Sequence, residues 1–301
     1  MTAFTDLLAR LNASFRPLAD KPEETAETTL RALWCAASGS PRSIELAATT
    51  QLPALDAVAT VALAALVERR LAGTPLSYLT GRQRFLDLEM YAAPGALIPR
   101  KETEILGRAV LARMREIADR RGAVAVVDLC TGSGNLALAY AAHEPRARVF
   151  AGDLSTEALA VAEENARQMG LAGRVEFCAG DLVAPFGNDL DGAVDVLSCN
   201  PPYISTTKVA AMPSEIADHE PGLAFDGGPF GIRILSRLIK EGLRLVRPGG
   251  WVCFEVGLGQ GPAMAQRLEA AGAYAEIRTH TDAAGAVRAL SARTKESALT
   301  S

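Results

Sequence analysis

The stretch Val126-Val127-Asp128-Leu129-Cys130-Thr131-Gly132-Ser133-Gly134-Asn135-Leu136-Ala137 reads as the end of a buried strand, a glycine turn and the start of a helix. Glycines at 132 and 134 permit a tight turn, and a ligand can approach the backbone where no Cβ intervenes. A G-x-G-x-x-A match alone is a weak signature; a strand before it and a helix after it make it a nucleotide-site candidate. Working outward, apolar strand-like runs at 124–129, 148–152, 174–178, 194–199, 251–256 and 274–279 alternate with helical stretches. Such βαβ alternation predicts a parallel, doubly wound α/β sheet. Ligands of these sheets bind beyond the carboxyl ends of the strands, so the residues just after each run carry most weight.

The chain has 301 residues, 49% hydrophobic and 22% charged, enough apolar sequence for a full-sized core and for one or two domains. That composition excludes a disordered, collagen-like or disulfide-scaffold protein. With 31 Lys and Arg against 35 Asp and Glu, there is no basic excess of the kind a nucleic-acid-binding protein usually shows. The start, Met1-Thr2-Ala3-Phe4-Thr5-Asp6, lacks a basic stretch followed by an apolar run, which predicts no signal peptide. The most apolar stretch, 54–67, is short and broken by Asp56 and Thr60, which argues against a membrane span. Five scattered cysteines without C-x-x-C spacing suit reduced thiols and argue against a structural metal. A soluble, cytoplasmic protein is expected.

Residues before the sheet read as helices only. Phe4, Leu7, Leu8, Leu11 and Phe15 recur at helical spacing. Ser43 can cap a helix running to Thr50, and 55–71 makes another that stops before Gly73-Thr74-Pro75. From Gln83 to Met90 apolar and polar residues alternate as in a half-buried strand, between turns at Gly81 and at Ala93-Pro94-Gly95. The expected organisation is a helical domain over 1–80, a β-hairpin linker over 81–98, a catalytic domain over 99–293 and a polar tail over 294–301.

Acidic residues stand at the ends of three successive strands. Asp153 closes the second, where a carboxylate can accept from both hydroxyls of a ribose. Asp181 follows the third, placed to accept from an adenine amino group. Asp128 stands inside the turn motif, where it would repel a pyrophosphate but could pair with a cationic amino-acid group, directly or through water. Ribose, adenine and a positive charge without phosphate describe S-adenosylmethionine better than a dinucleotide. Taken singly, Asp153 and Asp181 read equally well as helix N-caps.

The fourth strand ends in Ser198-Cys199-Asn200-Pro201-Pro202-Tyr203-Ile204. Two consecutive prolines stop the strand and fix φ twice, and neither offers an N–H. Asn200 adds a side-chain carbonyl acceptor. An NH₂ group donating to Asn200 and to the Pro201 carbonyl would have its lone pair aimed at a methyl donor. Tyr203 could stack on a planar amide or base and stabilise charge developing on nitrogen. Positioning of this kind supplies much of the acceleration of an in-line displacement. The residues therefore point to an amino or amide N-methyltransferase.

With these motifs the chain resembles the HemK/PrmC-type peptide-chain-release-factor glutamine methyltransferases. The shared signatures are Glu68-Arg69-Arg70 with the segment from Gly73 to Gly81, then Ile98-Pro99-Arg100-Lys101-Glu102-Thr103-Glu104, and 128–134. Further on come Asn200 to Tyr203, His219-Glu220-Pro221, Asp226-Gly227-Gly228 and Glu255-Val256-Gly257. The resemblance implies a helical substrate-recognition domain, a hairpin linker and a seven-stranded methyltransferase domain. It further implies S-adenosylmethionine as cofactor, S-adenosylhomocysteine as product, no metal, and methylation at N5 of the glutamine in the Gly-Gly-Gln loop of release factors. A protein partner is expected, with no direct nucleic-acid or membrane contact, and a monomer. On matching positions it implies Asp128, Thr131, Gly132 and Gly134 around the methionine moiety, Asp153 on the ribose, and Asp181 with Leu182 beside the adenine. Arg100 and Thr103 fall at the cofactor mouth, or else in a helix cap, and Asn200, Pro201, Pro202 and Tyr203 hold the glutamine amide.

The family usually has Pro where Lys101 stands, and commonly Gly where Cys130 stands. A relative methylating an amide or amine of a small metabolite, and an adenine N6-methyltransferase, are the competing readings. For His219 and Glu220 a loop packing on itself competes with a substrate-facing role. Glu255 is expected to satisfy backbone donors, and Cys130 and Cys199 to be small buried side chains.

Overall fold

The computed structural model describes residues 2–16 and 21–296. Met1 and the expected polar tail from 297 onward lie outside the described residues. The chain forms two compact units: the first takes 1–94 together with 213–220, the second 95–212 and the chain from 221.

The first unit holds α1 (Thr2–Ser14), α2 (Ala26–Ala37), α3 (Ile44–Thr49), α4 (Ala57–Leu71) and α5 (Leu76–Thr80). Helix starts follow local chemistry: Thr25 accepts from the Thr28 N–H to cap α2, and Asp56 accepts from the Ala59 N–H at 2.7 Å to cap α4. Leu11, Leu30, Leu33, Leu63 and Val67 make its core, each at most 1% exposed. A strand β1 (Arg82–Phe85) pairs antiparallel with β2 (Leu88–Tyr91). The alternating run over 83–90 thus holds the two short strands of the expected hairpin. Leu86 and Asp87 both take positive φ, +45° and +66°, and turn the chain between them. The hairpin read as a separate linker groups with the helices as far as Pro94. Glu89 on β2 fastens it there, accepting from the N–H and the hydroxyl of Ser43, both at 2.6 Å.

The second unit is built on β3 (Val124–Leu129), β4 (Ala147–Asp153), β5 (Val175–Ala179), β6 (Val194–Cys199), β7 (Val246–Glu255), β8 (Tyr274–Thr281) and β9 (Val287–Thr294). Their order is β5-β4-β3-β6-β7-β9-β8, parallel from β5 to β7, with β9 antiparallel to both its neighbours. Helices α6 (Thr103–Arg121), α7 (Asn135–His143) and α8 (Thr156–Gln168) connect and cover it, with two later helices at Arg233–Glu241 and Gly261–Ala270. The residue patterns mark six of the seven strands. β9 escapes them because Arg288, Ser291 and Arg293 interrupt its apolar run, and its place in the sheet comes from pairing with β7 and β8.

The strand order reverses between β3 and β6. From β3 the chain winds outward through β4 to β5, then returns to lay β6 on the other side of β3, with Leu129 opposite Cys199. The segments leaving these two strands therefore diverge from adjacent carboxyl ends, the switch point at which open α/β sheets bind ligands.

Candidate active site

On leaving β3 the chain passes through Cys130 at φ +55°, Gly132 at +55° and Gly134 at +78° before entering α7. Gly134 is required by space as well as by φ. A Cβ there would come within 3.0 Å of the Ala162 Cβ and 3.2 Å of a Leu138 methyl. The left-handed backbone at position 130 favours glycine, and Cys130 bears the strain there. Asp153, last residue of β4, accepts the Gly132 N–H at 2.8 Å and the Ser155 N–H at 2.9 Å. It does not cap α8, since the Ser155 hydroxyl does so by accepting from the Ala158 N–H. Burial raises the Asp153 pKa, and its backbone hydrogen bonds work against that rise.

Asp128 lies beneath this turn, fully buried. Its Oδ2 accepts from the Thr131 hydroxyl at 2.7 Å, while Oδ1 is buried without a partner. Burial pushes its carboxyl up to about 7, against hydrogen bonds from Thr131 and Ser198 that favour the charged form.

Across the switch point, Asn200 follows β6 and its Nδ2 donates to the Thr103 hydroxyl at 3.1 Å. Thr103, 1% exposed, opens α6. The Tyr203 hydroxyl donates to Glu255 Oε1 at 2.8 Å, and the Tyr203 ring packs where a Cβ on Gly257 would meet it at 3.0 Å. Glu255 is thus a buried side-chain acceptor for Tyr203, not a group limited to backbone donors. Burial raises its pKa, while the Thr103 and Tyr203 hydroxyls stabilise its charge. Burial also raises the Tyr203 pKa, and neighbouring Glu255 adds to the rise.

The backbone of the Asn200–Tyr203 turn is held from behind. Gln260 Nε2 donates to the Tyr203 carbonyl at 2.9 Å, and Gln260 Oε1 accepts the Gly257 N–H at 2.9 Å. Ile204 exchanges backbone bonds with the chain at Phe225 and Gly227, at 2.9 and 2.8 Å. A Cβ at Gly227 would strike the Pro202 carbonyl at 2.6 Å, and one at Gly231 the Tyr203 carbonyl at 2.1 Å. Gly227 of the Asp226-Gly227-Gly228 signature thereby has a physical meaning: it lets its loop lie directly on the Pro202 carbonyl.

A cavity of about 450 Å³ opens between the two turns, within the size range of small-molecule sites. Of the residues singled out from the sequence, Thr131, Gly132, Asp153, Asp181, Leu182, Asn200, Pro202, Arg100 and Thr103 line it. Asp128, Gly134, Pro201 and Tyr203 are not among its lining residues, though Pro201 and Tyr203 continue the turn that Asn200 begins. Leu182 holds φ +47°, a second strained residue at the cavity. Asp181 pairs with Arg237 at 3.0 Å, and Arg237 also pairs with Glu241 at 2.8 Å. Arg233, Arg237 and Leu223 line the cavity without any signal in the sequence pattern. Gln260 follows a recognised signature by three residues, yet its role depends on the two loops it joins. His219 and Glu220 fall in the 213–220 segment, which groups with the helical unit.

A sequence profile described as "Methyltransferase small domain" matches residues 106–222. A release factor glutamine methyltransferase of Moorella thermoacetica is 43% identical over 231 residues, 76% of this chain and 78% of that protein. One from a Synechocystis strain is 39% identical over 220 residues, 73% of each chain. Among solved structures, the hMettl16 catalytic domain in complex with an RNA hairpin aligns with a TM-score of 0.54 at 14% identity. It covers 78% of this chain and 84% of that one. A human methyltransferase 10 domain containing protein aligns with a TM-score of 0.50 at 16% identity, covering 70% and 89%. At those identities the likeness concerns the methyltransferase fold. The curated relatives go further: the chain belongs to the release factor glutamine methyltransferase family.

Proposed function

We propose that the protein methylates N5 of the glutamine in the Gly-Gly-Gln motif of a peptide chain release factor, with S-adenosylmethionine as donor, in the cytoplasm. The observation that carries this reading is the placement of Asn200. Its amide borders the same cavity as Gly132 and Asp153, at the carboxyl ends of adjacent strands. The cavity residues fit the donor: an acidic Asp153 for ribose hydroxyls, a glycine turn with exposed backbone, and Asp181 with Leu182 at the far wall. When bound, S-adenosylmethionine supplies an electrophilic methyl group on a sulfonium centre.

The chain's own contribution is positional. The Asn200 side-chain oxygen and the Pro201 carbonyl accept the two hydrogens of an incoming amide NH₂, which turns its nitrogen lone pair away from its own carbonyl. Pro202 keeps that turn stiff. Tyr203, its hydroxyl tied to Glu255, stiffens the turn. Holding the two reactants in line accounts for a large share of the rate without a histidine base.

The deciding experiment is a labelled-methyl transfer assay with mass spectrometry of the product. A release factor would be offered beside a variant in which the Gly-Gly-Gln glutamine is alanine. Label on the unaltered glutamine alone is expected. In Asn200→Ala, transfer should fall by at least about a hundredfold, with S-adenosylmethionine binding retained. Label on neither protein, in a preparation that binds the donor, moves the acceptor to another molecule.

A further inference from the structure

We infer that Arg237 is a positioning residue for the donor's base. Clamped by Glu241, it holds the Asp181 carboxylate in one orientation, and the adenine end of the cavity thereby selects adenine over a purine with a carbonyl at C6. The inference deepens the reading of S-adenosylmethionine as donor, with Asp181 beside the adenine, and rests on it.

The backbone of Asp181 is fixed by the turn after β5, where its carbonyl accepts the Ala184 N–H at 3.0 Å and Leu182 follows at φ +47°. Its side chain is 51% exposed, and packing alone does not confine such a carboxylate to one staggered position.

Arg237 supplies the restraint. It stands one helical turn before Glu241 on the helix Arg233–Glu241. Its Nε donates to Glu241 Oε1 at 2.8 Å and its Nη2 to Oε2 at 3.1 Å, a two-pronged pair that fixes the plane of the guanidinium. Nη1 is left for Asp181, 3.2 Å from Oδ1 and 3.0 Å from Oδ2. Both Asp181 and Arg237 line the cavity. All three side chains are partly exposed, where ion pairs contribute little stability. What the clamped pair contributes is orientation.

An ionised carboxylate only accepts, and it has about four lone-pair positions, so Arg237 leaves acceptor capacity for a ligand. Adenine presents a donor, the amino group at C6, beside an acceptor, N1. Hypoxanthine reverses both, with a carbonyl at C6 and a hydrogen on N1. A carboxylate held opposite C6 accepts from the first base and repels the second. One that is free to turn can accept from the N1–H instead and tolerates the second base. Selection between them therefore depends on how firmly the carboxylate is held.

The test is a calorimetric comparison, on the full chain, of S-adenosylhomocysteine with its deaminated analogue S-inosylhomocysteine. The two ligands carry the same net charge, so a change in the field of the site cancels in the ratio of their affinities, and no methyl acceptor is needed. The native chain should favour the adenine compound by about thirtyfold. In Arg237→Met that preference should fall to about threefold. Arg237→Lys keeps the charge without the fork and should lose most of the preference too. Asparagine can accept or donate, so Asp181→Asn should bring the ratio to about one. A native preference in Arg237→Met, while Asp181→Asn abolishes it, overturns the positioning role and leaves the adenine reading standing. A native preference in Arg237→Lys reduces Arg237 to a bare charge and overturns the clamp. If Arg237→Met does not fold, Arg237→Lys decides on the same ratio. A native preference in Asp181→Asn, or equal affinities in the native chain, removes Asp181 from the adenine and overturns both. No binding of S-adenosylhomocysteine to the native chain overturns the donor reading itself.

Discussion

Asp128 is the clearest case of a residue whose type is legible and whose behaviour is not. Its folded pKa of about 7 stands above the ordinary value of 3.8 because burial disfavours the charge. Between those values the folded chain holds a proton that the unfolded chain has released. The associated stability is complete below about pH 4 and is lost as pH rises through 7. Asp128→Asn keeps the shape and removes the charge. Urea denaturation at pH 5 and pH 8 should show the native chain weakening more over that interval than the variant. Equal pH dependence in the two would mean that Asp128 is not held neutral at low pH. Cys130 tells a related story, since its φ of +55° is a property no side-chain preference announces.

Among the elements, the informative contact is loop on loop. The turn after β6 is held by the chain at Phe225 to Gly231 and by Gln260, and these contacts fix the carbonyls of Tyr203 and Ile204. Gly231 cannot carry a side chain without moving the Tyr203 carbonyl, which a Cβ would meet at 2.1 Å, and its φ of +69° adds strain. Gly231→Ala should therefore lower turnover by about a hundredfold, the scale expected for a displacement near 1 Å, while S-adenosylmethionine still binds. Turnover near the native level would show that the turn is fixed by its prolines alone. The two prolines are plain in the sequence. Their backing is not, because it comes from a segment more than twenty residues further along.

At the scale of the whole molecule, the first unit contains a buried charge cluster. Arg70, 1% exposed at its side chain, pairs with Glu24 at 2.6 Å and with Glu215 at 2.9 Å, and Lys21 lies 3.4 Å from Glu215. Glu215 belongs to the 213–220 segment, the part of the later chain that groups with the helices. Burial raises the Glu24 pKa, and Lys21 and Arg70 oppose the rise. Removing one partner from such a cluster leaves the others buried and unpaired, at a cost of about 3 kcal/mol or more. Arg70→Ala should accordingly destabilise the first unit by about that amount and speed amide exchange across 213–220. Native exchange in that segment would show that Arg70 does not anchor it.

The α/β class, the glycine turn after β3 and the Asn200-Pro201-Pro202-Tyr203 turn, which among them indicate methyl transfer, are all legible in the chain as written. These are local matters: periodicity, φ preferences and the chemistry of a few contiguous side chains. The place of β9 comes from the fold, since its pairing with β7 and β8 outweighs its interrupted pattern. Long-range contact also sets the Tyr203 hydroxyl against Glu255. Both arise in the same way. Hydrogen-bond partners and close approaches are set between residues distant in the chain, and one residue's pattern carries no record of which partner the fold brings to it.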